Sequence, residues 1–201
     1  MHVYLVRHGA TLWSVSGRHT GRTDLPLTPQ GEAEATQLGP ILWPLQPQVV
    51  LSSPLARARR TAELSGFGER IRIDPDLSEW DYGQYEGKTT LEICRDNPGW
   101  DLFRDGVPQG ESLEDVTRRV RRILAKLEEN GEDALLFAHG HLLRVLVANW
   151  LHLPSDSARH FAIETSSLTI LGNEHAWPAL LALNRKASES PGSLHDQRSP
   201  A

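Results

Sequence analysis

The sequence predicts an α/β fold built on a mostly parallel sheet, and three observations carry that prediction. Short apolar runs at Val3–Val6, Val49–Leu51 and Ala134–Ala138 read as buried strands. Over residues 1–73 they alternate with helical patterns in the order strand, helix, strand, helix, strand, the rhythm of crossover connections. Two of the strands also stop the same way, at Arg7-His8-Gly9 and at His139-Gly140. In an open α/β sheet, ligands bind just beyond the carboxyl ends of strands, which is where these endings put their polar groups.

Ala10 to Thr28 is rich in Gly, Thr, Ser and Arg and reads as a long functional loop with one helical turn near Trp13. Thr28-Pro29 supplies an N-cap and a first-turn proline for a helix running to Trp43, ended by Pro44 and Pro47. Ser52-Ser53-Pro54 repeats that signal for a helix from Leu55 to about Ser65, and Ile71–Ile73 is a third strand. Asp74 to Gly110 breaks the rhythm with aromatic, acidic and glycine-rich sequence and one short helix near Leu91–Arg95. Ordered insertions of that length cover or line a site. Ser112 caps the clearest helix, whose apolar stripe is Val116, Val120, Ile123, Leu124 and Leu127, with Gly131 as its stop. Leu142–Leu153 is the next helix, and Leu168–Leu171 with Pro178–Leu183 form a late hairpin through Asn173.

A chain of 201 residues suits one domain, taken as residues 1–185 with 74–111 as a lid-like insertion and 186–201 as a disordered tail. A net charge of −5 argues against a nucleic-acid or anionic-membrane partner, so any cationic site must be concentrated. Cys94 is the only cysteine, which excludes an internal disulfide. The chain opens directly into a strand and has no apolar run of membrane-span length, so a cytoplasmic location is expected.

Three strand ends therefore present Arg7 and His8, then Ser52, Ser53 and Arg57, then His139 and His141. Arginine forks match phosphate oxygens, and a helix N-terminus adds backbone donors, so the natural ligand is a phosphoryl group. A metal hydrolase built on His8, His139 and His141 is the competing reading of the same residues, but the arginines would repel a dication.

The stretches VRHG with GRHTGRTDLPLTPQGEAEA, SSPLARARRTAEL, LSEWDYGQYEG and FAHGHLLR, in that order, resemble the histidine phosphatase superfamily, also called phosphoglycerate mutase-like. The resemblance implies a three-layer α/β/α sandwich and a metal-independent mechanism without a cofactor. It makes His8 a nucleophile that carries the phosphoryl group, with Arg7, Arg57 and His139 holding its oxygens. Glu79 matches the family's proton donor, with Asp81 as the alternative. Ser14, Arg18, Thr20 and Gly21 match positions that contact substrate, with His19 among them and Tyr82 and Gly140 beside the pocket. Residues 86–111 form a short stretch with Asp96, Asp101, Asp105 and Glu111 against Lys88, Arg95 and Arg104. It lacks the basic insertion of the cofactor-dependent mutases. This favours hydrolysis of a small phosphorylated metabolite, in the manner of the acid phosphatase and sedoheptulose-bisphosphatase branch, over mutase activity. A non-catalytic phosphate binder on the same fold is the remaining alternative, and a homodimer is left open.

Overall fold

A computed structural model describes residues 1–187. The predicted tail, 186–201, lies outside the described residues except for Lys186 and Ala187. Strands β1 (Val3–Arg7), β2 (Val49–Ser52), β3 (Arg72–Ile73), β4 (Ala134–Ala138), β5 (Leu168–Glu174) and β6 (Trp177–Arg185) form one sheet in the order β3-β2-β4-β1-β5-β6. The first four are parallel, and β5 and β6 close one edge antiparallel.

Period-two alternation sends successive β1 residues to opposite faces. Val3 and Leu5 join Leu136 on one face, packed on Val120, Ile123 and Leu127 of α7 (Leu113–Asn130) and Leu146 of α8 (Gly140–Trp150). Tyr4 and Val6 join Leu135 and Phe137 on the other. There they meet Leu38 and Leu42 around α2 (Pro29–Gln37) and α3 (Gly39–Leu42), and Ala62 of α4 (Ala56–Leu64). The result is the expected three-layer α/β/α sandwich. Each fully buried Leu, Ile, Val or Phe in these layers contributes about 1.5–3 kcal/mol over its exposed state.

Capping residues fix the helix starts as read. Thr28 accepts from the Gly31 N–H with Pro29 at the first position, and Ser112 forms a reciprocal capping box with Asp115. Gly131, at φ +66°, ends α7. The four-residue α1 (Leu12–Val15) is the helical turn near Trp13. Four expectations need correction. The helix expected through Trp43 breaks at Leu38 and restarts as α3, followed by a 3-10 turn over Trp43–Leu45. Ser53 is not an N-cap: α4 starts at Ala56 and its first N–H is taken by Asp24 instead. The helix expected over Leu142–Leu153 is α8, which begins earlier and ends at Trp150, before Pro154 acts. The late hairpin turns at His175-Ala176, not Asn173, with His175 at φ +53°.

Within 74–111, α5 (Thr90–Asp96) and α6 (Leu102–Asp105) are joined by turns and fastened to the body by a half-buried hub. Arg119 of α7 donates to both carboxylate oxygens of Glu111 at 2.8 Å and to the carbonyls of Asp76 and Ser78. Trp80, fully buried, donates Nε1–H to the Glu111 carbonyl at 2.8 Å.

Phe137→Ala should cost about 3–5 kcal/mol because it empties the centre of one layer, whereas Ser112→Ala should cost about 1 kcal/mol through the lost cap. Urea denaturation of both variants checks this; near-equal costs would contradict the packing described.

Candidate active site

Parallel register makes the site. Arg7 pairs with Ala138 and Ser52 with Phe137, so β1, β2 and β4 end within one residue of each other. Ladder bonds continue one step further: the His8 N–H donates to the Ala138 carbonyl at 3.0 Å, and the Ser53 N–H to Phe137 at 2.9 Å. The His8 and His139 rings consequently face each other with centroids 5.2 Å apart.

His8 is 4% exposed, and its Nδ1 lies 2.8 Å from the Gly9 carbonyl oxygen. A carbonyl can only accept, so Nδ1 carries the proton and Nε2 keeps a free lone pair. Burial first, then the positive charges of Arg57 and Arg7, hold the imidazole's pKa well below its ordinary value. The His8 ring is therefore unprotonated without a base beside it. Gly9 is required here for a reason other than ligand approach: a Cβ would stand 2.6 Å from the Gly31 carbonyl oxygen of α2.

Arg57 is fully buried, and its guanidinium donates to the carbonyls of Thr20, Gly21 and Thr23 at 2.9–3.0 Å. Arg7 donates to the Ile163 carbonyl at 2.6 Å, and its Cζ would lie 3.2 Å from a Cβ on Gly140, which holds that position open. His139 Nε2 sits 2.7 Å from the Ser53 hydroxyl, which also accepts from the Leu55 N–H. These anchors aim the groups without exhausting them. Arg7 Nε, Arg57 Nε and His139 Nδ1 are buried and have no partner among the described residues. Buried polar groups are otherwise almost always satisfied, so three such atoms around His8 mark a place for an oxyanion.

Glu79 is 7% exposed and clamped to the start of α8. Its Oε1 accepts from the Trp80 and Leu142 N–H groups at 2.9 Å, and its Oε2 from the His141 N–H at 3.1 Å. Oε2 thus retains accepting capacity beside the pocket. Asp81 is otherwise employed: it pairs with Arg22 at 2.9 Å and accepts from the Gly83 N–H. The two carboxylates therefore have different settings, Glu79 on the start of α8 and Asp81 on Arg22.

Residues 3–186 match the model of the histidine phosphatase superfamily (branch 1). The chain belongs to that family. Among curated relatives, an acid phosphatase from Mycobacterium tuberculosis is 37% identical over 93% of this chain and 94% of its own length. Sedoheptulose 1,7-bisphosphatase from Saccharomyces cerevisiae is 36% identical over 74% of this chain and 67% of its own length. A probable phosphoglycerate mutase from Erwinia tasmaniensis is 34% identical over 88% and 86%. The solved structure of an open reading frame product from Mycobacterium tuberculosis superposes with a TM-score of 0.89 at 37% identity, covering 92% of this chain and 98% of the other.

In this histidine phosphatase the loop residues expected to contact substrate are largely occupied by the protein itself. Ser14 exchanges hydrogen bonds with Thr11, and the Thr20 hydroxyl donates to the Arg18 carbonyl. Arg18 turns away to the lid, onto the Gly87 carbonyl at 2.6 Å and Glu92 at 3.1 Å. Gly21 gives its N–H to Glu86 and its carbonyl to Arg57. His19 is buried in a ring cluster with Tyr82, Trp100 and His141, and the Tyr82 hydroxyl lies 2.5 Å from His141 Nδ1. Burial raises the Tyr82 pKa well above its ordinary value and lowers that of His141, so both rings are neutral at pH 7. Arg144, the only Lys, Arg, Asp or Glu in the apolar stretch GHLLRVLVANW, is a further charged residue on α8 that the motifs alone do not single out.

Burial pushes the His19 pKa down from 6.5 to about 4. The unfolded chain therefore binds a proton below about pH 6.5 that the folded chain refuses until about pH 4, and stability falls as the pH drops through that window. His19 alone should account for on the order of 3 kcal/mol by pH 4. Denaturation curves for wild type and His19→Phe at pH 7 and 4.5 check this. An identical acid loss in both proteins would contradict it.

Proposed function

We propose that this chain hydrolyses small phosphomonoesters through a phosphohistidine at His8. The observation that carries the reading is the His8 imidazole, locked with Nε2 unprotonated beside two buried, partnerless guanidinium Nε–H donors of Arg7 and Arg57 and the unpartnered Nδ1 of His139. In the first step Nε2 forms a bond to phosphorus while the phosphorus–oxygen bond of the ester breaks, and Glu79 gives its proton to the departing alkoxide. In the second, water attacks phosphorus, Glu79 takes a proton from it, and inorganic phosphate leaves with His8 restored. Arg7, Arg57 and His139 offset the charge on the transferring oxygens in both steps.

The names of the relatives support a phosphorylated sugar or similar small metabolite as substrate. Residues 1–185 act as one catalytic domain with 74–111 as its lid. Relatives named as mutases favour the second reading, phosphoglycerate mutase, but residues 86–111 set only Lys88, Arg95 and Arg104 against six carboxylates, a net negative stretch poorly suited to retain a bisphosphate. Arg104 is spent on Asp105 at 2.8 Å, and Glu111 holds Arg119 of the protein body. Among the described residues no helix is long and apolar enough to cross a membrane, and no three His, Cys, Asp or Glu side chains converge as a metal donor set.

His8→Ala should lose turnover of p-nitrophenyl phosphate by at least about a thousandfold while its thermal melt stays cooperative. An alkaline quench of wild type during turnover should trap label on His8. Substantial residual turnover in His8→Ala would overturn the phosphohistidine step. A panel of phosphorylated metabolites read for free phosphate, run beside conversion of 3- to 2-phosphoglycerate, separates phosphatase from mutase, and a dominant mutase signal would reverse the choice. Wild type that binds phosphate but turns over nothing would point to a non-catalytic binder.

A further inference from the structure

Residues 20–23 are gripped from two sides, and one of the grips comes from the 74–111 segment. Glu86 Oε1 accepts from the Gly21 N–H at 2.9 Å and from the Thr23 N–H at 3.0 Å, and its Oε2 lies 3.1 Å from the Gly21 nitrogen. From the other side Arg57 donates to the carbonyls of Thr20, Gly21 and Thr23. The loop is thus held between a carboxylate and a guanidinium. A side chain is given up for this approach: a Cβ on Gly21 would stand 2.7 Å from Glu86 Oε2 and 2.5 Å from the Trp80 carbonyl oxygen.

One peptide group joins the two charges. The Gly21 N–H that meets Glu86 and the Thr20 carbonyl that meets Arg57 belong to the same peptide unit. In a planar trans peptide these groups point in opposite directions, so carboxylate, peptide dipole and guanidinium line up head to tail. Hydrogen bonds chained in this way polarise and strengthen one another. The consequence for Arg57 is also geometric. Its terminal nitrogens are engaged by the loop carbonyls, whereas its Nε is buried and has no partner. Where that Nε–H points follows from where the carbonyls sit, and Glu86 holds the amides of the same loop.

Glu86 is carried on backbone that is itself docked on this loop. The Gly87 N–H donates to the His19 carbonyl and the His19 N–H to the Lys88 carbonyl, each at 2.9 Å, and Arg18 pairs with Thr89 in a single antiparallel bridge. We propose that Glu86 is a positioning residue for Arg57, acting through the Thr20–Gly21 peptide to keep Nε–H toward the phosphoryl group, so that docking of 74–111 and the grip on phosphate are linked. The proposal rests on the phosphomonoesterase reading above and adds to it a residue that works at one remove from the substrate.

The test is a double-mutant cycle on kcat/KM for p-nitrophenyl phosphate and glycerol 2-phosphate, whose leaving groups differ. Glu86→Ala should lower kcat/KM about ten- to hundredfold on both, by the same factor, because Arg57 meets only the phosphoryl group. Glu86→Gln keeps one oxygen for both N–H groups and should recover part of the loss. In an Arg57→Lys background, Glu86→Ala should cost less than about threefold, since the group it positions is gone. A full loss in that background, a loss confined to one substrate, or no loss with Arg57 intact would overturn the proposal.

A second arm depends neither on turnover nor on the Arg57 variant folding. Calorimetric titration with inorganic phosphate should show affinity falling at least about tenfold in Glu86→Ala and less in Glu86→Gln, with thermal melts of both variants cooperative. Unchanged phosphate affinity in folded Glu86→Ala, or in Glu86→Gln should the alanine variant not fold, would also overturn it. If wild type binds phosphate but does not hydrolyse esters, the phosphomonoesterase reading fails while this arm still judges Glu86.

Discussion

The placement of β4 between β1 and β2, all three parallel, is the constraint on which the site depends. Because Arg7 aligns with Ala138 and Ser52 with Phe137, two histidines and a serine emerge at one level without any long loop to position them. The helices that follow complete the arrangement. Thr61 of α4 accepts from the Gly9 N–H and donates to the Arg57 carbonyl, so the turn after β1 and the helix after β2 are stitched at the point where chemistry begins. An antiparallel neighbour on either side of β4 would have sent one of the polar ends to the opposite edge of the sheet.

Electrostatic duties are divided unusually cleanly. Helix N-termini are ready-made anion sites, yet the N–H groups at the start of α8 hold the Glu79 carboxylate. In the proposed reaction the phosphoryl group is left to side chains, namely two guanidiniums and an imidazole whose carbonyl and hydroxyl anchors orient them. Arg57 also gathers the carbonyls of Thr20, Gly21 and Thr23, so one residue fixes that loop and, in the proposed reaction, grips the phosphate.

Much of this was legible in the chain. The strand endings at His8 and His139 and the helix-borne Arg57 stand out through local pattern, since strand period, capping residues and glycine punctuation are short-range signals, whereas Glu79 in the LSEWDYG segment is picked out by the family resemblance. What escaped was long-range. Arg18 and His19, whose loop matches the family's substrate-contact positions, have partners in this structure that the local pattern does not encode: Arg18 pairs with Gly87 and Glu92, far away in sequence, and His19 packs against Tyr82 and Trp100. The break at Leu38 and the Asp24 cap on α4 depend on how separate segments dock, which no local period encodes.

The partnerless donors have an evolutionary consequence. Arg7 Nε, Arg57 Nε and His139 Nδ1 are buried polar atoms whose desolvation nothing in the resting chain repays. Because the proposed grip on phosphate is made by side chains and not by a main-chain cradle, single replacements can abolish it while leaving the sheet intact and even relieving buried charge. Selection for stability alone would therefore erode this pocket, and a lineage released from the need for activity would drift readily toward an inert, more robust version of the same fold.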